Sequence, residues 1–381
     1  MYKKVYMVHT MTYNIASHTT QNLVTYCVIA LLAVLLAGCG STDPGRTSPT
    51  APTEAPVNGF GPSTNHVHSL LALPEHVLLL AAHYGTYRSA DGGATWQRVS
   101  GGSHQLMQGL MDYSLVVSPL DPQRLYMSTQ IAVNPHAGTL GLYTSADQGR
   151  SWQLAIPTAN LTSGNIFFVA AGNDTPQEVY VYLQSLGALG LKVSLDAGQH
   201  FSSTGTLPFG FILGMLAIPD APGHLLAYGS DGMASSNDGG IHWQVIKGIT
   251  GGIFSLTTAG PHKSIYASGD SGIYISNDEG ATFTLVPTLT DSEDNPQAAH
   301  GALSISAAEQ NVLYSKTGTA VYRSLDGGRT WKALPHISGN LTSVAIDPVN
   351  ASQVYLSLSY PTEVYRFNQS SGIWSSLTPK A

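Results

Sequence analysis

Cysteine is nearly absent from this chain of 381 residues: Cys27 and Cys39 are the only two. Everything after residue 39 therefore has no disulfide, no cysteine metal site and no cysteine nucleophile. Charge is scarce as well. Only 10% of residues are charged, and 16 Lys plus Arg stand against 23 Asp plus Glu for a net charge of −7. No polycationic face exists to hold nucleic acid. Tryptophan is rare, at five residues, and all five occupy the last place of one recurring octapeptide.

That octapeptide is Ser-x-Asp-x-Gly-x-x-Trp. It reads SADGGATW (Ser89–Trp96), SADQGRSW (Ser145–Trp152), SNDGGIHW (Ser236–Trp243) and SLDGGRTW (Ser324–Trp331). SLDAGQHF (Ser194–Phe201) and SNDEGATF (Ser276–Phe283) end in Phe, and FNQSSGIW (Phe367–Trp374) keeps only the aromatic. The Asp positions 91, 147, 196, 238, 278 and 326 are 40 to 56 residues apart. A period of this length marks one supersecondary unit per repeat, stacked in a propeller or solenoid. Ser and Asp side chains can accept turn N–H groups, and Gly takes backbone angles closed to other residues. The octapeptide therefore reads as a hairpin corner whose aromatic, such as Trp96, Trp152, Trp243 or Trp331, wedges between neighbouring units.

Around each corner run short apolar or alternating segments. In the first repeat these are VHSLLALP, HVLLLAAH, TYRSA and, after the corner, QRVS. They predict four antiparallel strands, A to D. Seven such units fit the chain, so the expected class is all-β, a seven-bladed β-propeller occupying 65–381, with six or eight blades as alternatives.

The N-terminal part has a different character. Residues 23–38 form an apolar run that is short for a membrane span and placed like the core of a signal peptide. Leu36-Ala37-Gly38-Cys39 resembles a bacterial lipobox, which implies a leader over 1–38 and lipidation of Cys39. The protein would then be exported and lipid-anchored on the outer face of the cell membrane; an uncleaved anchor is the alternative. Residues 39–64, rich in Pro, Thr, Ser and Gly, read as a disordered linker.

The octapeptide is identified as the Asp-box (BNR) repeat, and the chain resembles the Asp-box propeller superfamily from the linker to its end. That superfamily includes sialidases, xyloglucan-degrading hydrolases, sortilin-like receptors and photosystem II assembly factors. The resemblance implies ligand binding at the upper face, ringed by B–C and D–A loops. Sialidases there grip a carboxylate with three Arg, whose planar guanidinium matches it bidentately. Here Arg88, Arg323 and Arg366 fall on strand C, Arg98 on strand D, and Arg124, Arg150 and Arg329 in lower turns. Sialidase chemistry is disfavoured.

Histidine is the residue that gathers at the upper face. His66 and His68 open strand A of blade 1, His83 closes its strand B, and His104, His136 and His300 fall in upper loops. His66-x-His68 lies on one face of an extended strand. With His83 beside them, a divalent transition metal is a possible cofactor, since neutral imidazoles suit Zn, Cu or Ni. The first blade also resembles that of exported bacterial proteins labelled glycosyl hydrolase-like, which supports these three as a unit. The carboxylate candidates are Asp112, Asp231 and Asp270, a glycosidase needing two across the scissile bond. The expected function is a tethered, monomeric binding propeller for a glycan, peptide or protein. A glycoside hydrolase-like enzyme and a His-based metal-binding protein are the alternatives.

Overall fold

The computed structural model describes residues 59–259, 264–287, 304–309, 311–316, 320–350 and 352–379, of which 259 and 304–309 are described by backbone alone. They form seven four-stranded sheets, each a meander in which every strand pairs antiparallel with the next. In blade 1 the strands A to D are Val67–Leu73, Val77–Ala82, Gly85–Ser89 and Gln97–Arg98. The A strands of blades 2 to 7 begin at Leu110, Phe168, Gly214, Ile253, Ser304 and Asn340. The protein is a seven-bladed β-propeller.

Its second strands explain why the sequence reads as continuous apolar runs. Val77–Ala82 is buried throughout. Because side chains alternate, Val77, Leu79 and Ala81 pack against blade 2, while Leu78, Leu80 and Ala82 pack against blade 7. The buried apolar side chains accordingly fall into seven clusters, each built from two adjacent blades. The core is a set of wedges, not a single centre.

Among the described residues no sheet borrows a strand from another blade, so the ring closes through side-chain packing and a few hydrogen bonds. At the seam the Val67 N–H donates to Ser359 Oγ (2.9 Å), and the Trp96 indole N–H donates to the Leu377 carbonyl (2.9 Å). Phe60 completes this seam. The composition of 39–64 placed it in the linker, yet its ring is 4% exposed and lies edge-on to Tyr87 (5.1 Å) and Trp96 (5.2 Å). Its carbonyl accepts from Asn65 Nδ2 (2.6 Å) and the Tyr87 hydroxyl (3.1 Å). The ordered body thus begins before residue 65.

Six octapeptides share one hydrogen-bond pattern. In the first, the Gly93 N–H donates to Ser89 Oγ (2.7 Å), and Ser89 Oγ donates to Asp91 Oδ1 (2.8 Å). That oxygen also accepts the Thr95 N–H (2.8 Å), while Oδ2 accepts the Thr95 hydroxyl (2.6 Å). Asp147, Asp196, Asp238, Asp278 and Asp326 accept in the same way, with an imidazole replacing the last hydroxyl at His200 and His242. These bonds pull the Asp196 carboxyl below the usual range and hold that of Asp238 at about 2. The worn seventh copy departs from this pattern. Asn368, not Gln369, accepts the turn N–H groups of Ser370 (3.0 Å) and Ser371 (3.2 Å).

Trp152 and Trp331 are buried between blades, and Trp96 and Trp243 are half-buried against the same wedges. The alternating strand directions put A–B and C–D turns, hence all the octapeptides, on one face. The B–C and D–A loops ring the other.

Phe60→Ala removes a ring enclosed on several sides, and such truncations cost about 3 kcal/mol or more. Urea unfolding is expected to show a loss of this order. A change below about 0.5 kcal/mol, the size typical of a surface site, would mean that Phe60 contributes nothing to ring closure.

Candidate functional site

At the upper end of strand A the pairing register slips once in several blades. In blade 1 Val67 faces Ala82 and Ser69 faces Ala81, leaving His68 as an extra residue. The same slip leaves Tyr113 extra in blade 2, Phe254 in blade 5 and Thr342 in blade 7. Their sequences are Val-His-Ser-Leu, Asp-Tyr-Ser-Leu, Ile-Phe-Ser-Leu and Leu-Thr-Ser-Val. This second recurrent motif carries no Gly, Pro or Trp, so no residue type marks it in the sequence as the octapeptide is marked. A bulge of this kind re-aims one side chain at a rim. In blade 1 the side chain it re-aims is an imidazole.

His66, His68 and His83 come together there. The His66 ring centroid is 4.7 Å from that of His68 and 4.5 Å from that of His83. One ring nitrogen from each lies within 4.8 Å of the others. The backbone holds the group, because the His83 N–H donates to the His66 carbonyl (2.9 Å). Three tyrosines surround it: Tyr113 against His68 (5.5 Å), Tyr84 against His83 (4.7 Å) and Tyr360 of blade 7 against His66 (5.2 Å). None of the three was singled out from sequence, since single Tyr residues have no spacing signature.

The electrostatics keep these rings neutral. Burial, then the neighbouring His66 and His83, lowers the pKa of His68 to about 3. Burial and His66 lower that of His83 to about 4. His66 is lowered too, by burial, against a weak contact of Nδ1 with the Thr64 carbonyl (3.4 Å). His68 Nε2 and His83 Nδ1 are buried with no hydrogen-bond partner.

The other candidates are dispersed. His104 is exposed on the loop between blades 1 and 2. His136 is half-buried, its Nδ1 against the Gly138 carbonyl (2.9 Å), and it borders a cleft of about 610 Å³ with Leu140, Pro157, Thr162 and Asn165. His300 and Cys39 lie outside the described residues.

Of the carboxylates, Asp112 sits inside strand A of blade 2 and is 0% exposed. Its Oδ2 accepts hydroxyls from Thr86 and Ser100 of blade 1, so it serves as a clamp between blades. Burial pushes its carboxyl up to about 6. Asp231 and Asp270 are exposed in B–C turns. Asp270 holds the place of His83, its N–H donating to the Gly252 carbonyl (3.0 Å), and its Oδ2 caps the Gly252 N–H (2.8 Å). Arg98, read as a strand D residue away from the rim, reaches the B–C turn, where its guanidinium bonds the Tyr84 carbonyl.

No family profile matches the chain. A xyloglucanase of Hypocrea jecorina is 26% identical over 240 residues, covering 60% of this chain and 27% of the relative. A xyloglucanase of Acetivibrio thermocellus is 23% identical over 274 residues, covering 58% and 32%. The chain thus spans about three tenths of the length of these relatives. Among solved structures, the GH74 xyloglucanase from Xanthomonas campestris superposes with a TM-score of 0.60 at 16% identity, over 87% of this chain and 55% of that one. YCF48 bound to D1 peptide gives 0.57 at 14%, over 83% and 99%. The structural likeness is one of propeller fold.

The Asp112 carboxyl gives a pH prediction. Its folded pKa of about 6 is above the unfolded value of 3.8. Its contribution is therefore full below 3.8 and is lost as pH rises through about 6. Asp112→Asn keeps an acceptor for both hydroxyls without the charge. Thermal melts from about pH 4 to 8 are expected to show the variant gaining on the parent as pH rises. Parallel curves would mean that this carboxyl does not titrate in that window.

Proposed function

We propose that this chain is an exported, lipid-tethered propeller of the Asp-box (BNR) kind that binds a carbohydrate at its upper rim. The observation that carries this is the division of labour among polar side chains. Asp112 is sealed between blades and Asp270 caps a turn, whereas the histidines of blade 1 stand among tyrosines with ring nitrogens unspent. Aromatic faces beside a few placed polar groups suit a ligand that is apolar on its ring faces and polar at its edges, as a sugar is. The likeness to xyloglucanases supports a glycan. The likeness to a propeller with bound peptide makes a peptide the competing ligand. The lipobox-like Leu36–Cys39 supports the tether.

Titration of the purified protein with xyloglucan oligosaccharides and a glycan array is expected to give saturable binding, weakened about tenfold (about 1.4 kcal/mol) by Tyr113→Ala, without release of reducing ends. Binding of peptides but no glycan would reassign the ligand.

A second reading, glycoside hydrolysis, is favoured by the same relatives. Asp231 and Asp270, exposed in neighbouring blades, are the pair left for it. Reducing-end release abolished by both Asp231→Asn and Asp270→Asn would replace binding with catalysis.

A further inference from the structure

We propose that His66, His68 and His83 form a three-imidazole site for a divalent transition metal, zinc or copper, at the upper rim of blade 1. The inference is independent of which organic ligand the rim takes.

Four observations converge on it. The donor atoms are already gathered, one nitrogen from each ring within 4.8 Å of the others. Metal–nitrogen bonds of about 2.0–2.1 Å place such atoms roughly 3.3–3.6 Å apart, a gap that small side-chain rotations close. Second, His68 Nε2 and His83 Nδ1 are buried without hydrogen bonds. Leaving a buried polar atom unpaired is destabilising, and a shared cation satisfies both. Third, the Thr64 carbonyl beside His66 Nδ1 (3.4 Å) favours the tautomer protonated there, which leaves the Nε2 lone pair for a metal.

Fourth, among the described residues the arrangement occurs in one blade of a repeating fold. The bulge position holds Tyr113, Phe254 and Thr342 in blades 2, 5 and 7, and the place of His83 holds Asp270 in blade 5. If imidazole were needed merely to build the bulge or end the hairpin, these positions would carry it too. Of these four blades, blade 1 alone carries imidazole at the bulge, and it carries a second one at the hairpin end. All three ligands also rise from one hairpin tied by the His83–His66 backbone bond, so the site rests on rigid elements.

The donor set selects the ion. Neutral nitrogen ligands with neither thiolate nor carboxylate suit zinc, copper or nickel and are poor for calcium and magnesium, which demand oxygen. Three protein ligands would leave a coordination position for water or an incoming ligand.

The test uses protein carrying no histidine tag, stripped with chelator. Zn(II) and Cu(II) are each titrated in competition with a chromophoric chelator, with Mg(II) and Ca(II) as controls. The expected result is one Zn(II) or Cu(II) per chain and a raised melting temperature. His68→Gln and His83→Gln should each lose at least about 100-fold in affinity, with His104→Gln and His136→Gln unchanged. Electron paramagnetic resonance of the Cu(II) form should show nitrogen ligation that falls by one donor in His66→Gln. This more exposed position keeps the test valid if a buried variant fails to fold. Absence of one-to-one binding, or binding undiminished in all three cluster variants, would overturn the proposal and leave the histidines as packing groups.

Discussion

The second strand of each blade is buried on both faces through its middle, and the ring exists because each blade completes its neighbours. A single four-stranded blade with Val77–Ala82 at its centre would expose one whole apolar face to water. Burial at roughly 25 cal/mol per Å² is recovered only when a second blade covers that face. The octapeptide corners serve this packing: by satisfying Ser, Asp and Gly within the turn, they fix where each aromatic enters the wedge. Where the corner is worn, Asn368 supplies the same acceptor one residue early, and Trp374 still packs against Phe367 (4.9 Å).

The architecture was legible because each place in the octapeptide has its own physical duty. Ser accepts from Gly, Asp closes the turn, and Trp fills the wedge, so the pattern survives changes at the intervening places. The upper rim was only half legible. His66, His68 and His83 could be grouped because imidazole is uncommon and the x-spacing put two on one strand. The burial of Asp112 could not be read, because the slip beside it shifts the alternation by one residue and turns that side chain into the wedge between blades. Phe60 escaped for another reason. Composition averages over a stretch, and one anchoring ring among Pro, Ser and Thr does not change the average.

The two faces of the ring therefore follow different rules. On the lower face, six turns repeat one bonding pattern. On the upper face, one backbone device, the bulge, presents His, Tyr, Phe or Thr at will. Conformation is shared while chemistry differs from blade to blade, which is the condition for an asymmetric site in a pseudo-symmetric frame.

The joint between the first and last blades has a mechanical meaning. Phe60 and Leu377 meet there on the two sides of Trp96, and among the described residues no shared strand fastens the first blade to the last. Tension along the preceding polypeptide enters the ring through that aromatic plug, so the place where the circle is sealed is also where a pull would begin to open it.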